Sequence, residues 1–320
     1  GRGARRDRRA HRGGNSKTPG RPMLRAPGDL KASKAAGGTF VKSMIERVIE
    51  EQAQGDPTRA GDIRDTIKSE VGADLATIKP GSAAAEKLKT ALIERDLWSQ
   101  YLEVGIGPYA EVFTKAQPLS AVGPGAEVGI HPESTWNNPE PEVVMIVNAR
   151  GETVGATLGN DVNLRDFEGR SALLLGKAKD NNASCALGPF IRLFDQTFGI
   201  DDVRRTVVRL SVEGPDGYKL DDQSSLGEIS RDPLDLVAQT IGPMHQYPDG
   251  VALFTGTMFT PVLDRDAPGM GFTHKIGDVV TIAADKFGAL INRVVHCDKA
   301  APWTFGVGAL MRNLAARDLL

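Results

Sequence analysis

Length, composition and charge set broad limits on this chain of 320 residues, of which 40% are hydrophobic and 25% charged. These values are ordinary for a soluble globular protein with one large domain or two smaller ones. The net charge of −2 gives no electrostatic reason to expect nucleic acid as a partner, and no apolar run reaches the roughly 18 residues that a membrane helix needs. The two cysteines, Cys185 and Cys297, favour a reducing compartment. We therefore expect a cytoplasmic protein that binds neither nucleic acid nor a membrane.

Residues 1–28 differ from the rest of the chain. GRGARRDRRAHRGGNSKTPGRPM is rich in arginine and glycine and contains almost nothing apolar, so this segment is predicted to be disordered. A basic arm for an anionic partner and a non-native start are both open explanations. The segment lacks the apolar stretch of a signal peptide, and we assign it no targeting function.

Residues 29–98 carry helical patterns. In FVKSMIERVIEEQA the apolar residues recur at helical spacing from Val41 to Ile49. A second helix is predicted near Asp56, with Pro57 in its first turn, and continues through IRDTIKSEVG. A third, SAAAEKLKTALIERDLW, begins after Ser82 as N-cap. We expect a helical N-terminal region.

Residues 99–320 change to short strands broken by glycine and proline. The segments predicted to be extended are VGATLG, RTVVRLSVEG, GYKL, GVALFTGT, DVVTIAAD and GALINRVVH. One helix is predicted in DPLDLVAQTI. Many irregularly spaced strands with few helices favour an α+β or mainly β domain of rolled or sandwiched sheet over a doubly wound sheet.

Two acids stand at the start of a very apolar run in NPEPEVVMIV. Residues two apart share a face of a strand, so Glu140 and Glu142 point the same way. Their repulsion beside a buried strand is relieved by a cation, by protons or by open water. A hard cation such as Mg²⁺ would relieve it well because it prefers oxygen ligands. An exposed strand entry with charged edge residues is the other explanation, and the spacing alone does not decide.

A dense polar stretch, LGNDVNLRDFEGRSALLLGKAKDNNASCALGPFI, follows. If Asp161 lies near the two glutamates, the three carboxylates form a site with open positions that suits Mg²⁺ or Mn²⁺ better than zinc. A lysine near such a cation, for which Lys177 is the candidate, has its pKa pushed down and can act as a base. Structural roles are equally open: Asp161 can cap a turn, Arg165 can pair with a neighbouring acid, and Lys177 can be a solvated loop residue.

Five blocks in order resemble the fumarylacetoacetate hydrolase superfamily: NPEPEVVMIV, GNDVNLRD, GKAKD with its following GPF, FTGTMFTP and KIGDVVTIAADKFGALINRV. Together they cover roughly residues 101–295. The resemblance implies a mixed β-roll domain over residues 99–320, a Mg²⁺ or Mn²⁺ ion and a small 2-oxo acid or 1,3-diketone substrate. A homodimer or higher homo-oligomer is also the family's habit.

The same resemblance assigns roles to individual positions. It implies that Glu140, Glu142 and Asp161 are the metal ligands. The residues implied to bind substrate are Arg165, Asp180, Thr257 and Lys115, and those implied to be catalytic are Lys177 and Glu103.

One position departs from the family pattern. Hydrolytic members typically carry N-Y-x-x-H-x-x-E on a short lid helix, where histidine and glutamate activate the attacking water. Anchoring this stretch on Phe113 and Lys115 places Glu103 at the glutamate and Gln100 at the histidine. Because glutamine cannot act as a general base, hydrolysis of a C–C bond by this route is in doubt.

The chemistry that remains favours a dehydratase of 2-keto-3-deoxy sugar acids. A metal-stabilised enolate would form when Lys177 or Glu103 removes a C3 proton, and Glu103 or a water that it holds would protonate the departing C4 hydroxyl. A 2-keto-3-deoxypentonate would then yield α-ketoglutarate semialdehyde. The GTMFTP block and the long N-terminal extension look more like the sugar-acid-degrading branches of the superfamily.

Three other functions stay open. A hydrolase of 2,4-diketo acids or acylpyruvates would need another water-activating residue, such as His131. The same metal would support decarboxylation or tautomerisation of oxaloacetate-like acids. A metal-binding domain with a basic arm that recruits a partner is the non-enzymatic alternative.

Overall fold

Two mixed β-sheets and a set of helices make up the chain in the computed structural model, which describes residues 25–28, 30–61, 63–64, 78–95 and 97–320. The strands are β1 Ala32–Gly37, β2 Glu111–Ala116, β3 Glu127–Ile130, β4 Asn137–Asn138, β5 Pro141–Val147, β6 Thr153–Asp161, β7 Asn163–Leu164, β8 Cys185–Leu193, β9 Val207–Glu213, β10 Lys219–Ser225, β11 Val251–Phe254, β12 Val279–Ala284 and β13 Gly288–His296. The helices are α1 Val41–Gln52, α2 Ala83–Glu94, α3 Gln100–Ile106, α4 Arg165–Glu168, α5 Leu175–Lys179, α6 Ile200–Arg204, α7 Pro233–Thr240 and α8 Val307–Ala315. Short 3₁₀ turns span Pro57–Arg59, Ala172–Leu174 and Leu226–Glu228.

The sheets mix parallel and antiparallel pairs. The larger sheet has the order β2-β1-β11-β5-β6-β8, the second has the order β10-β9-β12-β13-β3, and β4 pairs with β7. Only β1 with β11 and β3 with β13 run parallel among the paired strands of the described residues. The α+β prediction is therefore confirmed, and each segment predicted to be extended contains a strand.

The main core lies between the two sheets. Inward-facing residues of β5, such as Val143 and Met145, belong to the same buried cluster as Leu210 of β9 and Ile282 of β12. Every residue of β5 is buried, because the alternate residues, including Val144, pack in a second cluster on the other face of the sheet. This strand thus carries its first residues into the interior, where charged groups need partners.

The helical predictions hold where the structure describes them. Helix α1 buries Met44 and Val48, and α2 begins after Ser82, whose hydroxyl accepts a hydrogen bond from the Ala85 amide. The second predicted helix runs into residues 65–77, which lie outside the described residues. No helix among the residues that the structure describes is long and apolar enough to cross a bilayer.

The N-terminal region also contributes to the larger sheet. The expected helical region of residues 29–98 also contains strand β1, which lies between β2 and β11. Its backbone groups are hydrogen-bonded to a strand on each side, so this segment is extended although helices follow it. The division of the chain after residue 98 stays a prediction. Of the segment predicted to be disordered, residues 1–24 lie outside the described residues.

Candidate active site

The hairpin of β5 and β6 brings the three predicted carboxylates together. Gly151, at φ +78°, lies in the turn of this hairpin, which pairs Glu142 with Gly159. Asp161 therefore returns to the start of β5, where its amide donates a 3.1 Å hydrogen bond to the Glu140 carbonyl. The hairpin's register thus accounts for the proximity of Glu140 and Asp161, which are 21 positions apart in the chain.

Glu140, Glu142 and Asp161 form a compact acidic group. One carboxylate oxygen from each residue lies within 4.8 Å of the corresponding oxygens of the other two. Each of the three residues is about 1% exposed. The Gly256 amide donates a 2.7 Å hydrogen bond to Glu142, from a backbone at φ +104°. A side chain at Gly256 would collide with the Thr39 hydroxyl, so glycine is required there for two reasons.

The electrostatics of this group fit a divalent cation. Burial raises the pKa of Glu142 well above its usual range, and the neighbouring Asp161 and Glu140 carboxylates raise it further. Three buried carboxylates in contact are costly unless protons or cations neutralise them. Oxygen ligands of this type suit Mg²⁺ or Mn²⁺, which are commonly held by a few carboxylates together with waters and substrate oxygens.

Lys179 is the lysine that contacts the acidic group. Its Nζ lies 2.5 Å from Glu140 Oε2 and 3.3 Å from Asp161 Oδ2, and the side chain is 2% exposed. Burial would lower the pKa of Lys179, but the carboxylates of Asp161 and Glu140 raise it above its usual value. Burial would likewise raise the pKa of Glu140, yet Lys179 and Arg47 lower it to about 2.

Lys177 does not reach this group. It is exposed near the middle of α5, whereas Lys179 at the end of the same helix is buried. Two positions on an α-helix differ by roughly 200° in direction, so the two side chains leave opposite faces. The structure thus places a lysine at the carboxylates, but two positions after the predicted one.

Lys115 contacts Asp161 and the end of helix α5. Its Nζ lies 2.8 Å from Asp161 Oδ1 and donates to the carbonyls of Val162, at 3.0 Å, and Lys179, at 2.6 Å. Lys115 is fully buried and is not among the residues that line the cavity. This geometry orients Asp161 and the end of α5, in contrast to the substrate contact that we predicted.

A narrow cavity of about 20 Å³, room for roughly one water molecule, opens beside the carboxylates. Its lining comes from β1, α1, β2 and the metal-site segments: Ala36, Gly37, Gly38, Ser43, Arg47, Glu111, Phe113, Glu140, Asp161, Glu168, Lys179 and Thr257. Burial raises the pKa of Glu111, although Arg47 and Lys179 oppose the shift. Burial likewise raises the pKa of Glu168 to about 7 against the effect of Arg47. Two acids whose pKa values are raised by burial therefore face the cavity.

The other predicted substrate residues divide into two groups. Thr257 lines the cavity, and its hydroxyl lies 3.4 Å from Glu142 Oε1. Arg165 is buried but bonds to Glu46 and Glu50 of α1 and is not part of the cavity lining. Asp180 is exposed and accepts a 3.3 Å hydrogen bond from Gln117.

The predicted lid residues lie away from the carboxylates. Glu103 on α3 forms a partly exposed ion pair with Lys89 at 2.5 Å, and Gln100 donates a 2.8 Å hydrogen bond to Glu51. Neither residue lines the cavity, and His131 does not line it either. No histidine is present among the described residues that line this cavity.

Sequence reasoning missed several residues of the cavity, among them Glu111, Lys179 and Arg47. Glu111 lies two positions before Phe113 in EVFTK, so the block used as an anchor already contained it. Lys179 belongs to GKAKD, where the choice between two lysines depends on helix phase. Arg47 lies in a segment that was predicted only to be an amphipathic helix. A charged residue directly beside the apolar face of that helix was the one indication of a buried, paired arginine.

Comparisons with known proteins agree with this architecture. The fumarylacetoacetate (FAA) hydrolase C-terminal family model matches residues 101–295. A probable 2-keto-3-deoxyxylonate dehydratase of Haloferax volcanii is 31% identical over 201 residues, which are 63% of this chain and 65% of the relative. A 2-dehydro-3-deoxy-D-arabinonate dehydratase of Saccharolobus solfataricus is 29% identical over 187 residues, 58% of each chain. The chain thus spans about three fifths of the length of these curated relatives.

Solved structures show the same fold. A 2-keto-3-deoxyarabinonate dehydratase in a hexagonal crystal form superposes with a TM-score of 0.58 at 21% identity, covering 86% of this chain and 74% of that one. A 2-keto-3-deoxy-D-arabinonate dehydratase complexed with magnesium and 2,5-dioxopentanoate gives a TM-score of 0.52 at 26% identity, covering 62% and 66% of the two chains. The family resemblance inferred from the five sequence blocks is confirmed.

Proposed function

Because the chain belongs to the fumarylacetoacetate hydrolase family, we propose that it is a metal-dependent dehydratase that converts a 2-keto-3-deoxypentonate into α-ketoglutarate semialdehyde. Two relatives carry names of sugar-acid dehydratases, and a similar structure contains magnesium with 2,5-dioxopentanoate, which is this semialdehyde. The observation that carries the proposal is the buried Glu140, Glu142 and Asp161 group with Lys179 against it, in a cavity lined by two acids of raised pKa.

Glu140, Glu142 and Asp161 would hold Mg²⁺ or Mn²⁺. When bound, the metal would draw electron density from the 2-oxo group of the substrate and make the C3 protons more acidic. Thr257, at the edge of the same carboxylates, can donate its hydroxyl to a substrate oxygen.

Lys179 is our candidate for the base that removes a C3 proton, in place of Lys177. Asp161 and Glu140 hold the pKa of Lys179 up, and burial opposes them. Once the charge of these carboxylates is compensated, burial is the largest remaining influence and lowers the pKa; Arg47 lowers it as well, and Glu168 opposes them. The neutral amine is the form that can take the C3 proton.

Glu111 is our candidate for the acid that protonates the departing C4 hydroxyl, in place of Glu103. Its raised pKa favours the protonated carboxyl that this step requires. Glu168 also has a raised pKa, but its Oε2 lies 3.0 Å from the Arg47 guanidinium, which favours the ionised form. We therefore assign the role to Glu111.

The proton transfers balance as the loss of one water. The C3–H and C4–O bonds break, the C3=C4 bond forms, and the hydroxyl leaves with the proton from Glu111. A proton then moves from C5 to C3 of the unsaturated acid, and the resulting C4–C5 enol becomes the aldehyde. The product keeps the 2-oxo acid group that bound at the metal site.

Paired assays with Mg²⁺ and with EDTA test this function. We expect semialdehyde from 2-keto-3-deoxypentonates only when metal is present, and no pyruvate from acylpyruvates. Glu142→Gln should abolish turnover and metal binding, whereas Glu152→Gln, on the exposed turn of the same hairpin, should leave both unchanged. Pyruvate release from acylpyruvates without semialdehyde formation would refute the dehydratase.

Oxaloacetate tautomerisation is the second candidate. A mitochondrial oxaloacetate tautomerase, Fahd2a of Rattus norvegicus, is 28% identical over 194 residues, 55% of this chain and 56% of the relative. Enolisation of oxaloacetate needs the same metal and base but no leaving group, so it would not require Glu111. Turnover of oxaloacetate that survives Glu111→Gln, with no dehydratase activity in the parent protein, would favour this candidate.

The assembly and the location of the protein are proposals as well. We keep the homodimer or higher homo-oligomer and the cytoplasmic location as predictions. Sedimentation of the purified chain would test the first.

A further inference from the structure

We propose that Arg47 of α1 binds the carboxylate of the 2-oxo acid and is the arginine of the substrate site, a place that the family resemblance implied for Arg165. This inference rests on the proposed function only in requiring that a 2-oxo acid binds at Glu140, Glu142 and Asp161, called the triad below. It makes the N-terminal region part of the substrate-binding site.

Arg165 is already engaged by other groups. Its Nε lies 2.6 Å from Glu50 and its Nη2 lies 3.0 Å from Glu46, both on α1. The guanidinium also lies 4.1 Å from the ring centre of Trp136, in a cation–π contact. Arg165 is 1% exposed and does not line the cavity, so its contacts fix α1 against α4 and leave the substrate to another cation.

Arg47 faces the cavity that Arg165 does not reach. Its Nη1 lies 2.6 Å from Glu50 and 3.0 Å from Glu168, and its Nη2 bonds to Glu140. The side chain lines the cavity directly beside a predicted metal ligand. Among the described residues that line this cavity, Arg47 is therefore the one arginine available to a 2-oxo acid bound beside Glu140.

The two ends of the Arg47 guanidinium have different partners. Glu50 and Glu168 hold Nη1, and these two acids are not members of the triad. Glu140, which holds Nη2, belongs to the triad and would give its oxygens to a bound cation. Nη2 would then be released toward the cavity while Nη1 keeps the planar group in place. A guanidinium oriented in this way suits a carboxylate, because its fork matches the two oxygens.

The start of α1 is attached firmly enough to present Arg47 in one position. The Thr39 hydroxyl donates a 2.7 Å hydrogen bond to the Thr255 carbonyl at the end of β11, and the Ser230 amide donates to the Thr39 carbonyl at 2.8 Å. Thr255 directly precedes Gly256, whose amide holds Glu142. The helix that carries Arg47 is thus tied to the same loop that orients a triad carboxylate.

Calorimetric titration of the whole chain with pyruvate in the presence of Mn²⁺ tests the inference. Pyruvate is the simplest 2-oxo acid, and its binding does not depend on which reaction the protein catalyses. The loss of a charge-assisted contact predicts pyruvate affinity at least about ten-fold weaker in Arg47→Met, with partial recovery in Arg47→Lys. Binding of 2,3-butanedione, which has adjacent oxygens but no charge, should stay the same in each variant.

Mn²⁺ affinity separates a substrate contact from a merely structural role. Removing Arg47 takes a competing cation from Glu140, so we expect Mn²⁺ affinity unchanged or tighter. Arg47→Met with Glu168→Gln removes one charge of each sign and serves as a second variant if the single one does not fold. Arg150→Met, on the exposed turn of the β5–β6 hairpin, is the control and should keep wild-type pyruvate affinity.

The outcomes distinguish the two proposals. Unchanged pyruvate affinity without Arg47, or equal losses of pyruvate and Mn²⁺ affinity, would overturn the inference. A parent protein that binds Mn²⁺ but not pyruvate would overturn it as well. Absence of dehydratase activity with pyruvate binding that depends on Arg47 would reject the proposed reaction and leave the inference standing.

Discussion

Replacing Lys179 with methionine, beside the matched variant Lys177→Met, tests the assignment of the base. Lys179 contacts two carboxylates that are each about 1% exposed, whereas Lys177 is exposed on the opposite face of α5. Removing one partner of a buried ion pair costs about 3–5 kcal/mol. We therefore expect Lys179→Met in EDTA to unfold at least about 4 °C below the parent protein, and Lys177→Met to unfold within about 1 °C of it.

Activity and metal should separate the two effects of this substitution. Because Mg²⁺ supplies positive charge at Glu140 and Asp161, the stability difference should shrink when metal is added. Loss of a positioned base should still lower the initial rate of semialdehyde formation by about 10²–10⁴-fold in Lys179→Met. Differential scanning calorimetry and the coupled assay measure the two quantities. A fully active Lys179→Met, or an inactive but stable Lys177→Met, would refute the reasoning.

Three further predictions concern the metal, the hairpin and the lid. The pKa of Glu142 is raised, so the metal-free folded state holds its proton above the usual range, and stability falls as pH rises through that window. A bound Mg²⁺ would have to displace that proton, so the affinity for Mg²⁺ should rise with pH. Calorimetric titrations in buffers of different ionisation enthalpy should detect about one proton released per ion bound. An affinity that does not change with pH would contradict this. Gly159→Ala would place a Cβ 2.3 Å from the buried Phe254 ring, so urea unfolding should show a loss of about 1–3 kcal/mol, with weaker Mg²⁺ binding because Gly159 pairs with Glu142. Gly176→Ala, which meets nothing within 4 Å, is the control, and an equal loss in both would argue against the packing account. Gln100→His should create no acylpyruvate hydrolysis, since position 100 does not line the cavity, and new pyruvate release would place the lid elsewhere than the structure has it.

The shared face of Glu140 and Glu142 was predictable from the sequence because it depends on local rules. Alternation along a strand puts Glu140 and Glu142 on one face, and the apolar run after them identifies a buried strand. The position of Asp161 beside them follows from an antiparallel hairpin whose turn and register the family blocks imply. Strands β9, β12 and β13 of the second sheet were likewise predictable, since each contains β-branched residues between turn residues, whereas β3 was not predicted.

The choice of lysine required the tertiary structure. GKAKD offers two lysines, and the sequence does not set the phase of a five-residue helix relative to the sheet. Packing of α5 against the sheet turns Ala178 and Lys179 inward and leaves Lys177 in solvent. In a loop, a spacing of two residues does not determine where the two side chains point, whereas in a helix it places them on opposite sides.

The N-terminal contribution to the site was also decided by tertiary structure. The amphipathic pattern of residues 41–52 predicts a helix and its apolar face, but it does not say which surface that face covers. Parallel pairing of β1 with β11 carries α1 to the edge of the carboxylates, where Arg47 and Glu50 meet Glu140 and Arg165. Arg47 and Glu140 are separated by 93 positions in the chain, and Glu50 and Arg165 by 115. Such contacts depend on how separate elements pack, and local propensity carries no information about them.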